Sequence, residues 1–146
     1  MFSFCIPTEF VFGSGSFKKL YQYRMPGKKA LIVTTNGGSV KRLGYLNELE
    51  KQLEKSDVSF EVFDGIEPNP ITDNIMAAAA KAKETNCDFV IGFGGGSPMD
   101  SAKLIALAAT NPGNIWDYCQ KGTGGRKQPE NTPLPVVNFQ RLSTPY

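Results

Sequence analysis

Among the 146 residues there is no histidine. That absence removes a frequent metal ligand and the side chain whose ordinary pKa lies nearest neutrality. Cysteine is scarce as well. Cys5, Cys87 and Cys119 are odd in number, widely spaced and include no CxxC pair. Neither a zinc knuckle nor a disulfide framework is indicated, and each cysteine reads as a small buried or surface thiol in a reducing cytoplasm. No charge of either sign dominates: 16 Lys and Arg against 14 Asp and Glu leave a net +2, too little for a nucleic-acid footprint. No apolar run approaches the roughly 18–20 residues needed to cross a bilayer. The N-terminus MFSFCIPTEFVF lacks a basic lead and is interrupted by Pro7 and Glu9, so it is not read as a signal peptide or membrane anchor.

What is present fits one globular domain: 40% hydrophobic and 21% charged residues, with 15 glycines and 10 prolines. KKALIVTT (28–35), bounded by Pro26-Gly27 and Asn36-Gly37-Gly38, predicts a buried strand. A helix is expected next, with Leu43, Leu46, Leu49 and Leu53 on one face and Ser39 as its N-cap. SFEVFD (59–64) alternates in period two as a second strand. After GIEPNP, the residues Ile71, Ile75, Ala78, Ala79 and Ala82 recur at helical spacing, with Asn69 or Thr72 as cap. DFVIGF (88–93) predicts a third strand, and SAKLIALAA a helix that is apolar almost all round.

From residue 28 to 110 the order is βαβαβα without a hairpin signal, which argues for a parallel sheet with helices on both faces. FVFGSGSFKKL, before it, suggests a short strand turning into a helix. KGTGGRK reads as a flexible loop, LPVV (134–137) as a further strand, and Trp116 with Tyr118 as packing residues.

Open parallel sheets bind ligands beyond the carboxyl ends of their strands. Three loops are expected at that edge: Asn36-Gly37-Gly38-Ser39, Glu67-Pro68-Asn69-Pro70 and Gly94-Gly95-Gly96-Ser97. The last is neither GxGxxG nor a P-loop. Three adjacent glycines nonetheless let backbone N–H groups approach phosphate oxygens, and a helix N-terminus favours negative charge there. A tight turn without ligand is the competing reading. Asp100 reads either as a first-turn acid favoured by the helix dipole or as a group near the cofactor. Around NGGSVKR no acid occurs between Thr34 and Asn47, while Ser39, Lys41 and Arg42 could meet a ribose 2′-phosphate. A solvated helix start explains them equally well. Asn69 is either a cap or an amide facing the cofactor.

With FVFGSGSFKKL, ALIVTTNGGSVKRLGYL, DGIEPNP and CDFVIGFGGGSPMDSAKLIALAATNPGNIWDY in this order, the chain resembles the N-terminal domain of the iron-dependent (group III) alcohol dehydrogenases. NGGS with its following lysine is similar to the NADPH-dependent butanol dehydrogenases. The resemblance implies a Rossmann-like α/β fold, with Gly94, Gly95, Gly96 and Ser97 at a pyrophosphate and Asp100 close by. It implies Gly37, Gly38, Ser39 and Lys41 near the adenosine ribose, and Asn69 lining the cleft. The implied cofactor is NADP(H), with NAD(H) admitted, and the substrate a small alcohol or aldehyde; a homodimer is compatible with the family.

The likeness lapses after Val137, where NFQRLSTPY replaces the Thr/Gly-rich loop the family would continue with. The expected organisation is therefore a dinucleotide-binding domain over 1–137 and a divergent tail over 138–146, as from a truncated or frameshifted gene. The family's Fe(II) or Zn(II) site, one Asp and three His on a helical domain, has no counterpart here, so the chain is expected to be inactive alone. A non-catalytic nucleotide-binding module, a subunit completed by a second chain, and a non-functional remnant exposing the apolar face of 101–109 remain as alternatives.

Overall fold

The computed structural model describes residues 1–36, 38–69 and 71–140. Its centre is β1 (Lys29–Thr35), whose residues 30–34 are all buried. β-Branched and apolar side chains on both faces suit a strand covered from two sides. Parallel ladders join β1 to β2 (Ser59–Ile66) and to β3 (Phe89–Gly94), and β3 to β4 (Val136–Gln140), giving the order β2-β1-β3-β4. The expected parallel α/β sheet is thus present. Its order reverses between β1 and β3.

The two faces carry separate cores. On one, Leu31, Val33 and Val90 pack with Ile75, Ala78, Ala79 and Ala82 of α3 (Thr72–Glu84) and with Ala102, Ile105 and Ala106 of α4 (Gly96–Thr110). On the other, Ile32, Phe89 and Ile91 meet Val40 of α1 (Ser39–Arg42) and Leu46, Leu49 and Leu53 of α2 (Tyr45–Lys55). Each fully buried Leu, Ile or Phe contributes about 1.5–3 kcal/mol. Small alanines on α3 and α4 let these helices lie close to each other and to the sheet. α4 is covered by β3, α3 and β4, as its apolar circumference predicts, and Ala102, Ile105, Ala106 and Ala108 are buried, so the exposed face that the remnant alternative requires is largely enclosed.

Several local expectations are corrected. The single helix expected after β1 is two helices, because Gly44 adopts φ 75°, ends α1 and stands at the N-cap of α2. Leu43, one residue earlier, is consequently exposed rather than part of the apolar face. Ser39 is the first residue of α1, behind Gly38, and does not cap it. Ile71 occupies the N-cap of α3 and is exposed; neither Asn69 nor Thr72 caps that helix, whereas Asn74 Nδ2 donates to Gly65 O at 3.0 Å.

Residues 1–12 form no strand or helix, and Phe2, Phe4, Phe10 and Phe12 are exposed. The helix expected next is present as a 3-10 helix, Ser16–Gln22. The KGTGGRK segment is packed rather than loose. A Cβ on Gly124 would stand 2.7 Å from Asp117 Cβ, and Lys127 N donates to Asp117 O at 3.0 Å. Asn111 secures the same connection from within: buried at 2% exposure, it accepts from Glu130 N and Asn131 N at 2.8 Å and donates to Leu107 O and Asn131 O.

β4 begins at Val136 and runs through Asn138 and Phe139 to Gln140, where Phe139 packs edge-on against Phe93 with ring centroids 6.0 Å apart. The strand therefore crosses the boundary expected after Val137. The rest of the expected tail, 141–146, lies outside the described residues.

Candidate functional site at the carboxyl edge of the sheet

Where strand order reverses, connections leave β1 and β3 in opposite directions and open a crevice beyond their carboxyl ends. Here that crevice is flanked by Asn36 and Gly38 after β1 and by the start of α4 after β3. Gly94 closes β3 at φ 136°, a conformation L side chains rarely adopt, and a Cβ on it would also press to 3.1 Å from Pro98 Cγ. Gly95 is the extended N-cap of α4 and Gly96 its first residue; both are exposed, and a Cβ at either would meet no protein atom within 4 Å. No side chain caps the helix and no acid lies in its first turn. The first N–H groups of a 15-residue helix therefore face open space beside glycines. Ser97 follows in the same turn, half-buried.

A glycine further down β3 sets the height of this cradle. A Cβ on Gly92 would lie 2.9 Å from Met99 Cα and 3.0 Å from Ala102 Cβ. Only hydrogen at that position lets α4 rest on β3.

On the other flank, Gly38 is held against Thr35, where a Cβ would meet the Thr35 hydroxyl at 2.5 Å. Gly37 lies outside the described residues. Ser39 is exposed at the head of α1, and Val40 below it stands 3.6 Å from the position a Gly94 Cβ would take. The two flanks thus share one contact. Asn69 is exposed in the left-handed region at φ 60°, which Asn tolerates better than most residues.

Asp100 differs from its expected setting. It is the fifth residue of α4, past the first turn, and its carboxylate pairs with Lys103 Nζ at 3.1 Å on an exposed surface. Lys41 also differs. Its ammonium is ion-paired and hydrogen-bonded to Asp64 near the end of β2. That hydrogen bond, helped by the charges of Lys41 and Lys81, holds the Asp64 carboxyl below its ordinary value against the opposing effect of burial.

Asp64 lies outside the loop after β1, the segment whose lack of an acid the sequence reading rests on. The available signal was the final residue of SFEVFD, since an acid beyond the second strand is a recurrent ribose partner in this architecture. Thr34 was also missed: it is fully buried, and its Oγ1 has no hydrogen-bond partner among the described residues. Two concavities lie elsewhere, one beside Thr72, Asn114, Trp116 and Thr123, the other between residues 21–28 and Ser56 with Val58. Trp116 is half-exposed in the first, so it is not simply a core residue.

Fold and edge together define a Rossmann-like α/β unit with an open, glycine-lined switch point. The sequence profile of the iron-containing alcohol dehydrogenases matches residues 7–140, and the chain belongs to that family. It is 35% identical over 120 residues to a Bacillus subtilis protein named probable NADH-dependent butanol dehydrogenase 1, covering 82% of this chain and 31% of that one. To the NADPH-dependent aldehyde reductase YqhD of Escherichia coli it is 36% identical, covering 93% of this chain and 34% of the relative. The crystal structure of an archaeal Red Sea brine pool alcohol dehydrogenase, ADH/D1, superposes with a TM-score of 0.84 at 32% identity, over 96% of this chain and 36% of that one. The chain spans about a third of the length of the relatives it matches.

Among the described residues no three His, Cys, Asp or Glu side chains gather to hold a metal ion. Among the same residues no helix is long and apolar enough to cross a membrane.

Proposed function

We propose that this chain is the dinucleotide-binding part of an alcohol dehydrogenase that interconverts alcohols and aldehydes with NADP(H), NAD(H) being admitted, in the cytoplasm. The observation that carries the reading is the pairing of two glycine loops on either side of the sheet's switch point, one of them opening an uncapped helix. The open space at Gly95 and Gly96 fits a pyrophosphate. In this proposal the N–H groups of Gly94–Ser97 bind it, with the Ser97 hydroxyl beside them. Gly37, Gly38 and Ser39 border the adenosine ribose, Lys41 meets a 2′-phosphate, and Asn69 lines the cleft. Asp100 stays near the cofactor only by exchanging its Lys103 partner. The dinucleotide, when bound, supplies or accepts the hydride.

In this reading the residues bind and orient the nucleotide, and among the described residues no cluster of His, Cys, Asp or Glu offers a seat for a metal that would polarise a carbonyl. We infer that the chain alone does not turn over alcohols. Calorimetric titration of the 146-residue protein with NADPH and NADH tests the binding role. Saturable, salt-sensitive binding is expected, and no heat with either nucleotide at millimolar concentration would end the proposal. Aldehyde reduction by the same protein, stimulated by Fe(II) or Zn(II), would overturn the inference of inactivity.

A further inference from the structure

The β1–β2 ladder slips at its carboxyl end. Val33 faces Phe63, but Thr35 faces Ile66, so Asp64 and Gly65 together stand opposite Thr34. Such a bulge re-aims side chains and recurs beside functional sites. Its effect here can be followed residue by residue. Val62 packs with the α1/α2 face of the sheet and Phe63 with the α3/α4 face; Ile66, displaced by one position, is buried with the α3/α4 core. Asp64 remains on the α1 side, where Lys41 reaches it across the space beyond β1. The pair is half-open to solvent, with side chains 32% and 48% exposed. Lys41 is fixed to the site by its neighbour, because Val40 is buried beside Gly94.

A carboxylate and an ammonium in contact at this point combine the two groups that discriminate nicotinamide nucleotides. A carboxylate accepts a hydrogen bond from the ribose 2′-hydroxyl, and a cation binds the 2′-phosphate. We propose that Asp64, through its ion pair with Lys41, is the specificity-determining residue for the 2′ position of the nucleotide. With the pair closed, the site offers carboxylate oxygen to a 2′-hydroxyl. A 2′-phosphate binds only by drawing Lys41 away, and then lies near an unpaired Asp64 carboxylate. The pair thus admits both nucleotides and restrains the preference for the phosphorylated one. This inference rests on the nucleotide-binding reading above.

The test compares 2′,5′-ADP with 5′-AMP, which differ only in the 2′-phosphate, by calorimetry at one fixed low ionic strength on the whole chain. Asp64→Asn is expected to raise the ratio of 2′,5′-ADP to 5′-AMP affinity on the order of tenfold, by removing a like charge from the phosphate. Lys41→Met is expected to lower the ratio below that of the unmodified chain. In an independent readout, the Asp64 carboxyl followed by NMR should titrate at its lowered value with 5′-AMP bound and move up toward the ordinary carboxylate range with 2′,5′-ADP bound. A ratio unchanged in Asp64→Asn, or an Asp64 titration indifferent to the 2′-phosphate, would overturn the inference and leave nucleotide binding intact. Failure of both probes to bind the unmodified chain would remove the nucleotide reading and the inference together.

Discussion

Replacing Gly92 by alanine adds one methyl group at the place where α4 lies closest to the sheet. An ideal Cβ there stands 2.9 Å from Met99 Cα and 3.0 Å from Ala102 Cβ, with the Asn138 side chain nearer still. Asn138 can rotate away at little cost because it is exposed. Met99 Cα cannot, being backbone in the second turn of a helix whose inner face is closed by Ile105 and Ala106. Relief therefore requires α4 to lift from β3 by several tenths of an ångström, loosening contacts along its length. Overpacking of this kind costs about 1–3 kcal/mol, which for a chain this size lowers the thermal midpoint by roughly 3–12 °C. The lift also displaces Gly95 and Gly96, so nucleotide affinity should fall together with stability. Urea denaturation followed by circular dichroism, paired with nucleotide calorimetry, reads both quantities. Stability unchanged within about 0.5 kcal/mol would refute the close-approach account of Gly92 and, with it, the account of how the cradle is set.

Gly96→Ala should behave in the opposite way: its Cβ meets no protein atom, so denaturation should show a gain of about 0.4–1 kcal/mol, while calorimetry shows weaker pyrophosphate binding because the methyl group fills the ligand's space. Asn111→Ala removes the acceptor of Glu130 N and Asn131 N and the donor to two carbonyls; about 2–3 kcal/mol of stability should be lost, with faster proteolysis within 119–131. For Asp64, whose folded pKa is depressed by Lys41, the ion pair's contribution is present above the unfolded carboxylate pKa and lost as pH falls through the lowered folded value. With both side chains about a third or more exposed, that contribution is under about 1 kcal/mol. Lys41→Met should move the Asp64 titration back up, read by NMR, and flatten this acid dependence.

The parts of the fold legible in the sequence were those with an unambiguous period. KKALIVTT, SFEVFD and DFVIGF each supplied a strand to within one or two residues, because short β-branched runs between turn residues have few alternatives. The alanine spacing of α3 was readable for the same reason. Leu43 misled because leucine spacing alone cannot reveal that Gly44 takes a left-handed φ and divides the helix. FVF lost its strand because alternation predicts a face to bury, not a partner to pair with, and residues 10–12 have none among the described residues. KGTGGRK looked flexible because glycine serves loose loops and close approaches alike; only the proximity of Asp117 distinguishes them.

The candidate site was half legible, and the division follows sequence distance. Gly94, Gly95 and Gly96 announce a phosphate-sized cradle within one short stretch, since strand, glycines and helix are contiguous. The partnership of that stretch with Gly38 and Ser39 depends on β1 and β3 being neighbours while β2 lies outside them, a matter of strand order. The Lys41–Asp64 contact depends on still more, because a one-residue slip in the β1–β2 ladder fixes which face Asp64 occupies. A basic residue read alone argued for a 2′-phosphate; the same residue held by a carboxylate from the neighbouring strand argues for a choice between two ribose groups. On the proposed reading, local sequence points to the class of ligand, and the register of the sheet to which member of that class is favoured.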